Sequence, residues 1–524
     1  MKIVDNKVLV INTRRPQLVT EKITKSKVIN VHSDAANGDI HEVAVHWGLD
    51  EAQALTELRI KEVPSPILKD YEWTGKLKPF EHQKQTASFL TLRKKAFCFN
   101  EQGTGKTASV IWAADYLMKM GKIKRVLVIC PLSIMQSAWQ QDLFKFAMHR
   151  SCSVAHGTAK TRSKIVDTGS EFVIINFDGV AVVKDEIMKG GFDMIVVDEA
   201  NAYKNVKTNR WSILSQLVKN TEWLWMMTGT PAAQSPLDAY GLAKLVNPQN
   251  TPKFFNHYRS QVMYKVSQFR WLAYPKAKTI VHTILQPAIR FEKSQCLDLP
   301  EVTYVEREAP LTAQQQKYYK MLKTKMAFEA AGEEINAVNA ATKVNKLLQI
   351  SGGAVYSDTG EVIEFDVSNR LNVVLEAIEE SSHKVLVFVP FTHTIELLKK
   401  TLDDNGISNA VINGQVPVSK RSEIVKAFQE KDAPHVLIIQ PQAASHGLTL
   451  TAANTIIWYA PVASVETYLQ ANARIDRPGQ KNPMTIINIR GSDVETKLYN
   501  MLQNNIDNHE KIVDLYRREL EEEA

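Results

Sequence analysis

The chain has 524 residues, a length that suits roughly two to four domains. Hydrophobic residues make up 44% and charged residues 23%, a balance that supports sizeable cores and excludes wholesale disorder. The formal net charge of +7, from 64 basic and 57 acidic residues, is compatible with a polyanionic partner but does not select one. The four cysteines (Cys98, Cys130, Cys152 and Cys296) sit at no zinc-ligand spacing and point to a reducing compartment. No apolar run is long enough to span a bilayer and no secretory leader opens the chain, so the expected location is cytoplasmic or nuclear, with no membrane partner.

Residues 1–75 stand apart. Residues 1–30 carry seven Lys/Arg against two Asp/Glu, and residues 31–75 carry three against nine. VLVIN, LVTEKI and KVINVH read as short strands, EAQALTELRIKEV as a helix, and PSPILKDYEWTG as a linker. Lys22, Lys25 and Lys27 are placed to lie along a phosphate backbone; the competing reading is a packing or stabilising domain.

From 76 to about 250, short Val/Ile-rich runs (AFCFN, RVLVIC, FVIINF, DMIVVDEA, WLWMMTGT) alternate with helical stretches. Such runs suit strands buried on both faces of a parallel sheet, with crossover helices between them. NEQGTGKT (100–107) lies between a strand and an apolar helix, the context a phosphate-binding loop needs. Gly103 and Gly105 allow the tight turn around Thr104, Lys106 supplies a mobile positive charge, and Thr107 offers a hydroxyl to Mg²⁺. The pattern has glycine five residues before the glycine of the Gly-Lys pair, where this chain has Asn100.

DMIVVDEAN (193–201) delivers Asp198 and Glu199 to the tip of an apolar strand, where parallel sheets bind ligands. Asp198 can hold Mg²⁺ through water and Glu199 can orient the water that attacks ATP. Thr228 and Thr230 follow the strand WLWMM and are placed to sense the nucleotide.

Residues 250–350 are largely helical in pattern, and LDLPEVTYVEREAPLT reads as the connection between lobes. The strand–helix alternation resumes over 366–500 with KVLVFVPF, NAVING, HVLIIQP, TIIWYAP and TIINIR. In YLQANARIDRPGQ (468–480), Arg474 and Arg477 lie three apart and so are expected on one helix face, with Gln470 one turn earlier. Arginines there can stabilise the charge of a phosphoryl-transfer transition state. RRELEEEA closes the chain as a charged helix.

Taken together and in order, these segments resemble the Swi/Snf-type ATPases of helicase superfamily two, from about Leu77 to Asn500. LKPFEHQ (77–83) is similar to the adenine-reading segment, with Gln83 as the implied adenine contact. CPLSIMQSAWQQDLFKF (130–146) and IINFDGV (174–180) resemble DNA-contacting segments, and TGTPAAQSPLDAY resembles the coupling motif. KVLVFVPFTHTIELL, INGQVPVSKRSEIVKAFQ and ASHGLTLTAANTIIWY resemble the next motifs, and QANARIDRPGQ resembles the last, with its R-x-G-Q ending at Arg477 to Gln480. Carried onto those segments, the DNA-contact candidates are Ser133, Asn176, Thr392, Asn413 and Thr449. The chain departs from the family at Asn201 and Asp476, where histidine is usual, and at His446, where glycine is common.

The resemblance implies an α/β protein with two tandem RecA-like, doubly wound parallel-sheet lobes, helical insertions and a small α+β amino-terminal domain. The expected limits are 1–75, 76–296, 297–500 and a carboxy-terminal helix over 501–524. It implies an ATP- and Mg²⁺-dependent motor, monomeric in solution, that translocates on double-stranded DNA and remodels DNA structures or protein–DNA complexes. A strand-separating or branch-migrating helicase on forks or junctions, and a nucleotide-gated clamp with negligible turnover, are the alternatives; RNA is the less favoured track. The absence of chromodomain-like, bromodomain-like or zinc modules suggests a compact bacterial or viral motor.

Overall fold

The computed structural model describes residues 1–33, 39–75, 77–229, 231–232, 235–266, 271–296, 299–330, 337–356, 362–444 and 448–504. The carboxy-terminal helix expected beyond residue 504 lies outside them, as do Thr230 and His446. The chain forms two compact units, one of residues 1–231, 237–262 and 275–296, the other of 232–236, 263–274 and 297 onward. No helix among the described residues is long and apolar enough to cross a membrane.

The first unit opens with a four-stranded antiparallel sheet of Lys2–Val4, Val8–Thr13, Ile40–His46 and Ser26–His32, in that spatial order. LVTEKI, read as a strand, belongs to the helix Pro16–Lys22. Pro16 presets the first helical φ, and burial of Val19 against the sheet decides the outcome over β-propensity. The small core of Leu9, Ile11, Val43, Val45 and Leu55 is continuous with the larger one through helix Leu49–Glu57, which places Leu49 and Ala52 there.

PSPILKDYEWTG is not a linker. Ile67 and Tyr71 are buried in the main core, the Tyr71 hydroxyl donates to Asp115 at 2.6 Å, and the Trp112 indole donates to the Thr74 carbonyl at 2.9 Å. The proline-rich composition hid an apolar face that exists only once a partner covers it.

Among the described residues, seven parallel strands then form the first lobe's sheet. Their spatial order is Ala288–Ile289, Lys95–Cys98, Trp223–Met227, Met194–Val197, Val126–Cys130, Phe172–Asn176 and Cys152–Ala155. The five continuous apolar runs supply the inner strands, and the two strands the sequence reading passed over are the edges. The ligand-bearing tips of Lys95–Cys98 and Met194–Val197 flank one intervening strand, so their following loops converge.

The second unit carries a six-stranded parallel sheet in the order Val302–Glu308, Met484–Arg490, Ala453–Trp458, Lys384–Phe388, Val436–Ile439 and Asn409–Ile412. The segment read as a connection therefore contributes an edge strand, Val302–Glu308, paired along its whole length with Met484–Arg490. Beneath it, Arg370 and Glu495 form a buried bidentate ion pair, both bonds at 2.7 Å, and Arg370 also donates to the Tyr459 carbonyl at 2.7 Å. Glu495 in turn accepts the backbone N–H groups of Gly491 and Ser492 at 2.7 and 3.1 Å, closing a capping box on helix Asp493–Gln503.

Removing one partner strands the other charge in the core. Arg370→Ala should therefore cost about 3–5 kcal/mol of stability, read as a shift of the urea unfolding transition. A loss below about 1 kcal/mol, the range of an exposed pair, would show that the network carries no such weight.

Candidate nucleotide site and its relatives

Strand Lys95–Cys98 runs into a loop that ends at helix Lys106–Lys119. Gly103 and Gly105 have φ of +83° and +77°, the left-handed region that favours glycine. A Cβ at Gly105 would meet the flexible end of the Gln83 side chain, so it is the positive φ that favours glycine there. The loop is braced from outside: His82 Nε2 lies 2.8 Å and Gln83 Nε2 3.2 Å from the Thr104 carbonyl, and the Thr104 hydroxyl donates to the Glu101 carbonyl at 2.8 Å. Lys106 Nζ donates to the carbonyls of Asn100 and Glu101 at 2.9 and 3.1 Å. Thr107 is half-buried in the first turn of the helix.

Asn100, which departs from the glycine of the pattern, has a structural role. Its amide donates to Thr86 Oγ1 at 2.8 Å and its side-chain oxygen accepts the Phe291 N–H at 3.0 Å. The side chain thus pins the loop between helix Glu81–Thr91 and the chain following the edge strand.

Asp198 is buried at the tip of strand Met194–Val197. Its Oδ2 accepts the Trp139 indole N–H at 2.9 Å and its Oδ1 accepts the Glu199 N–H at 2.9 Å. Burial pushes its carboxyl above the ordinary carboxylate value, while the Lys106 charge and these two donors pull it back. Glu199 has φ +51° and ψ +56°, a left-handed conformation costly for a residue with a Cβ. Thr228 is fully buried and donates its N–H to the Cys98 carbonyl at 3.1 Å; a Cβ on Gly229 would be 3.4 Å from Gln102. The first unit thus gathers Gln83, Gly103 to Thr107, Asp198, Glu199 and Thr228 around one loop.

These residues fit ATP and Mg²⁺. The loop presents glycines at positive φ, a lysine and the N-terminus of a 14-residue helix, all suited to phosphate. Each Asp198 oxygen receives one donor, leaving a lone pair on each for a metal's water.

The second unit holds the arginines, but not on a helix face. Helix Val465–Asn472 ends before them, and Arg474 and Arg477 lie in the turns that follow. Three-residue spacing implies a shared face only while helical geometry lasts. Arg474 is 2% exposed and donates to the Leu448 carbonyl at 3.3 Å, whereas Arg477 is half-buried and donates to the Ala473 carbonyl at 2.9 Å and to Thr449 Oγ1 at 3.3 Å. Gln470 is buried on the helix and bonded to Glu466 at 3.1 Å. Gln480 donates to the Ala453 carbonyl at 2.8 Å, so the end of the R-x-G-Q signature ties its loop to the preceding motif.

Of the DNA-contact candidates, Asn176 is buried and accepts from Arg162 at 2.7 Å. Thr392 begins helix Thr392–Asp404, Asn413 accepts the Gln415 N–H at 3.1 Å in a turn, and Thr449 is exposed. Ser133 falls in the short turn Leu132–Ile134, and its side chain lies outside the described residues. In the amino-terminal region, Lys22 and Lys25 pair with Glu57 and Glu51 at 2.7 and 3.3 Å, so the basic first stretch is partly neutralised by the acidic one that follows. Lys22 is in the helix Pro16–Lys22 rather than on a strand, which leaves Lys27 on the sheet.

Sequence reasoning placed His82, Asn100 and Trp139 inside segments it singled out, Asn100 as a departure from glycine, but gave none of the three a role at this site.

The SNF2-related domain profile matches residues 82–352, more than half the chain, and the helicase conserved C-terminal domain matches 369–479. Chromodomain-helicase-DNA-binding protein 1-like of Mus musculus is 27% identical over 76% of this chain and 46% of its own length. An uncharacterized ATP-dependent helicase of Mycoplasma genitalium is 26% identical over 74% of this chain and 37% of its own length. This chain thus spans less than half of these two relatives. A putative protein p41 from an Acyrthosiphon pisum secondary endosymbiont phage is 25% identical over 79% of this chain and 93% of its own length. A solved structure, the Sulfolobus solfataricus SWI2/SNF2 ATPase core in complex with dsDNA, aligns over 82% of this chain and 92% of that one with 21% identity and a TM-score of 0.41. On the domain matches, with the loop, acidic pair and arginine segment falling inside them, the chain belongs to the SNF2-related family of helicase-like ATPases.

Proposed function

We propose that this protein hydrolyses ATP in response to double-stranded DNA and uses the cycle to move along the duplex, remodelling DNA structures or protein–DNA complexes. The observation that carries the reading is the convergence of Lys106, buried Asp198 and strained Glu199 at one phosphate-binding loop, in a chain whose second lobe supplies Arg474 and Arg477. Relatives named as DNA-binding or ATP-dependent helicases support the substrate class.

Lys106 binds the β- and γ-phosphates, and the helix N-terminus directs backbone N–H groups at the same oxygens. Thr107 and, through water, Asp198 would hold Mg²⁺, which would supply charge neutralisation at the phosphates. Glu199 orients the attacking water. Arg474 and Arg477 stabilise the charge of the transferring phosphoryl group, the role that the family resemblance implies for them.

The test is ATPase activity against duplex DNA, RNA and no nucleic acid, across a salt series. Duplex should stimulate most, and its affinity should fall linearly in log–log form with salt because the grip is mainly on phosphates. Equal stimulation by RNA and duplex would remove the duplex assignment and leave the ATPase intact. Unwinding of a forked substrate by the same preparation would favour the strand-separating alternative.

A further inference from the structure

Between strand Val126–Cys130 and helix Gln141–Phe146, the backbone changes helix type twice, through a 3-10 turn at Leu132–Ile134 and a π-helix at Met135–Gln140. π-helical turns are rare and concentrate at functional sites because they trade hydrogen-bond geometry for a particular side-chain direction. Here the inward side is Ile134, Met135 and Trp139, all buried, and the outward side is Leu132, Gln136 and Gln140, all exposed. Trp139 is fully buried, and its one polar atom donates 2.9 Å to Asp198 Oδ2, across 59 residues of chain.

We infer that Trp139 is a positioning residue for the Asp198 carboxylate, aimed at it by the π-helix that carries it. The inference rests on the ATP-site reading above and not on the DNA reading.

The physical argument begins with the donor. An indole N–H can only donate, so it fixes one Asp198 oxygen and turns the carboxylate about its Cβ–Cγ bond toward a single orientation. The Glu199 N–H fixes the other oxygen. Together they leave one lone pair on each oxygen, and the direction of those lone pairs decides whether a metal's water meets them. Such indirect partners of a metal typically matter by about 10–100-fold in metal affinity.

The π-helix supplies the second element: it joins a 3-10 turn to an α-helix, and its register sets the direction in which the indole points.

The test uses the full chain with Trp139→Phe, and with Trp139 replaced by benzothienylalanine, which keeps the indole's shape and lacks only the N–H. Leu143→Ala, a buried residue of the same core cluster whose side chain has no polar atom to offer Asp198, serves as the packing control. Calorimetry measures ADP binding in EDTA and across a Mg²⁺ series. ADP affinity in EDTA should be unchanged, while the Mg²⁺ concentration giving half of the added affinity should rise by about 10–100-fold in both Trp139 replacements and not in the control.

An unchanged Mg²⁺ requirement in the folded benzothienylalanine protein overturns the positioning role. If the unaltered protein binds no ADP, the ATP-site reading fails and the positioning with it.

Discussion

Glu199→Gln should bind ATP like the parent protein and hydrolyse it about 10²–10⁴-fold more slowly, the usual contribution of a positioned base. The amide keeps the shape of the carboxylate and loses the charge that orients water. The backbone sharpens the expectation. Glu199 has φ +51°, and a non-glycine residue there costs about 1–3 kcal/mol. Glu199→Gly should therefore lose turnover to the same extent without losing stability, because glycine removes the strain. Concurrent loss of activity and of stability would mean that Glu199 holds the fold rather than the water. Lys106→Ala differs in kind: it should weaken ATP binding as well as turnover, because the ammonium meets phosphate in the ground state too. Single-turnover hydrolysis and nucleotide titration separate the three variants. DNA-stimulated hydrolysis at the parent rate in Glu199→Gln would remove the assignment.

Arg477→Ala should lower turnover by about 10³–10⁵-fold with little change in ATP affinity, the range of arginine fingers in related phosphoryl transfers. Arg477→Lys should recover little, because a point charge does not reproduce the guanidinium fork. Arg474→Ala should behave differently even though the two side chains look equivalent in the motif. Arg474 is 2% exposed, its side chain holds the Leu448 carbonyl, and its own carbonyl accepts the Leu450 N–H at 3.0 Å. Its loss should lower both turnover and folding stability, whereas Arg477→Ala should leave the latter within about 0.5 kcal/mol of the parent. Robust DNA-stimulated turnover in the double variant would show that the catalytic site is not shared between lobes.

The division between what was legible and what was not follows range. The inner strands of both sheets were readable because a strand buried on both faces needs a continuous apolar run, as in Val126–Cys130 or Val436–Ile439, and such a run is local. The phosphate loop was readable for the same reason: Gly103, Gly105 and Lys106 act within one turn of chain, and their conformations follow from residue type. Asp198 and Glu199 announced themselves by standing at a strand tip downstream of that loop. The edge strands were not readable. Cys152–Ala155 is half-buried and Ala288–Ile289 spans two residues, so neither produces an apolar run. The helix Pro16–Lys22 and the packed segment around Tyr71 were misread because the burial that decides them comes from residues distant in sequence.

Trp139 is the clearest case of what folding alone decided. The family resemblance covers the segment that holds it, but the carboxylate it touches lies 59 residues away, and nothing local to the segment pairs the two. Arg474 and Arg477 make the same point in reverse, since spacing promised a common helical face and the chain left the helix one residue before it could apply. Residue type fixed which groups this protein has for phosphate chemistry, because charge and hydrogen-bonding capacity belong to the side chain itself. Burial, orientation and partnership fixed what each group does. Those depend on long-range packing, whose energy is earned only when distant segments meet.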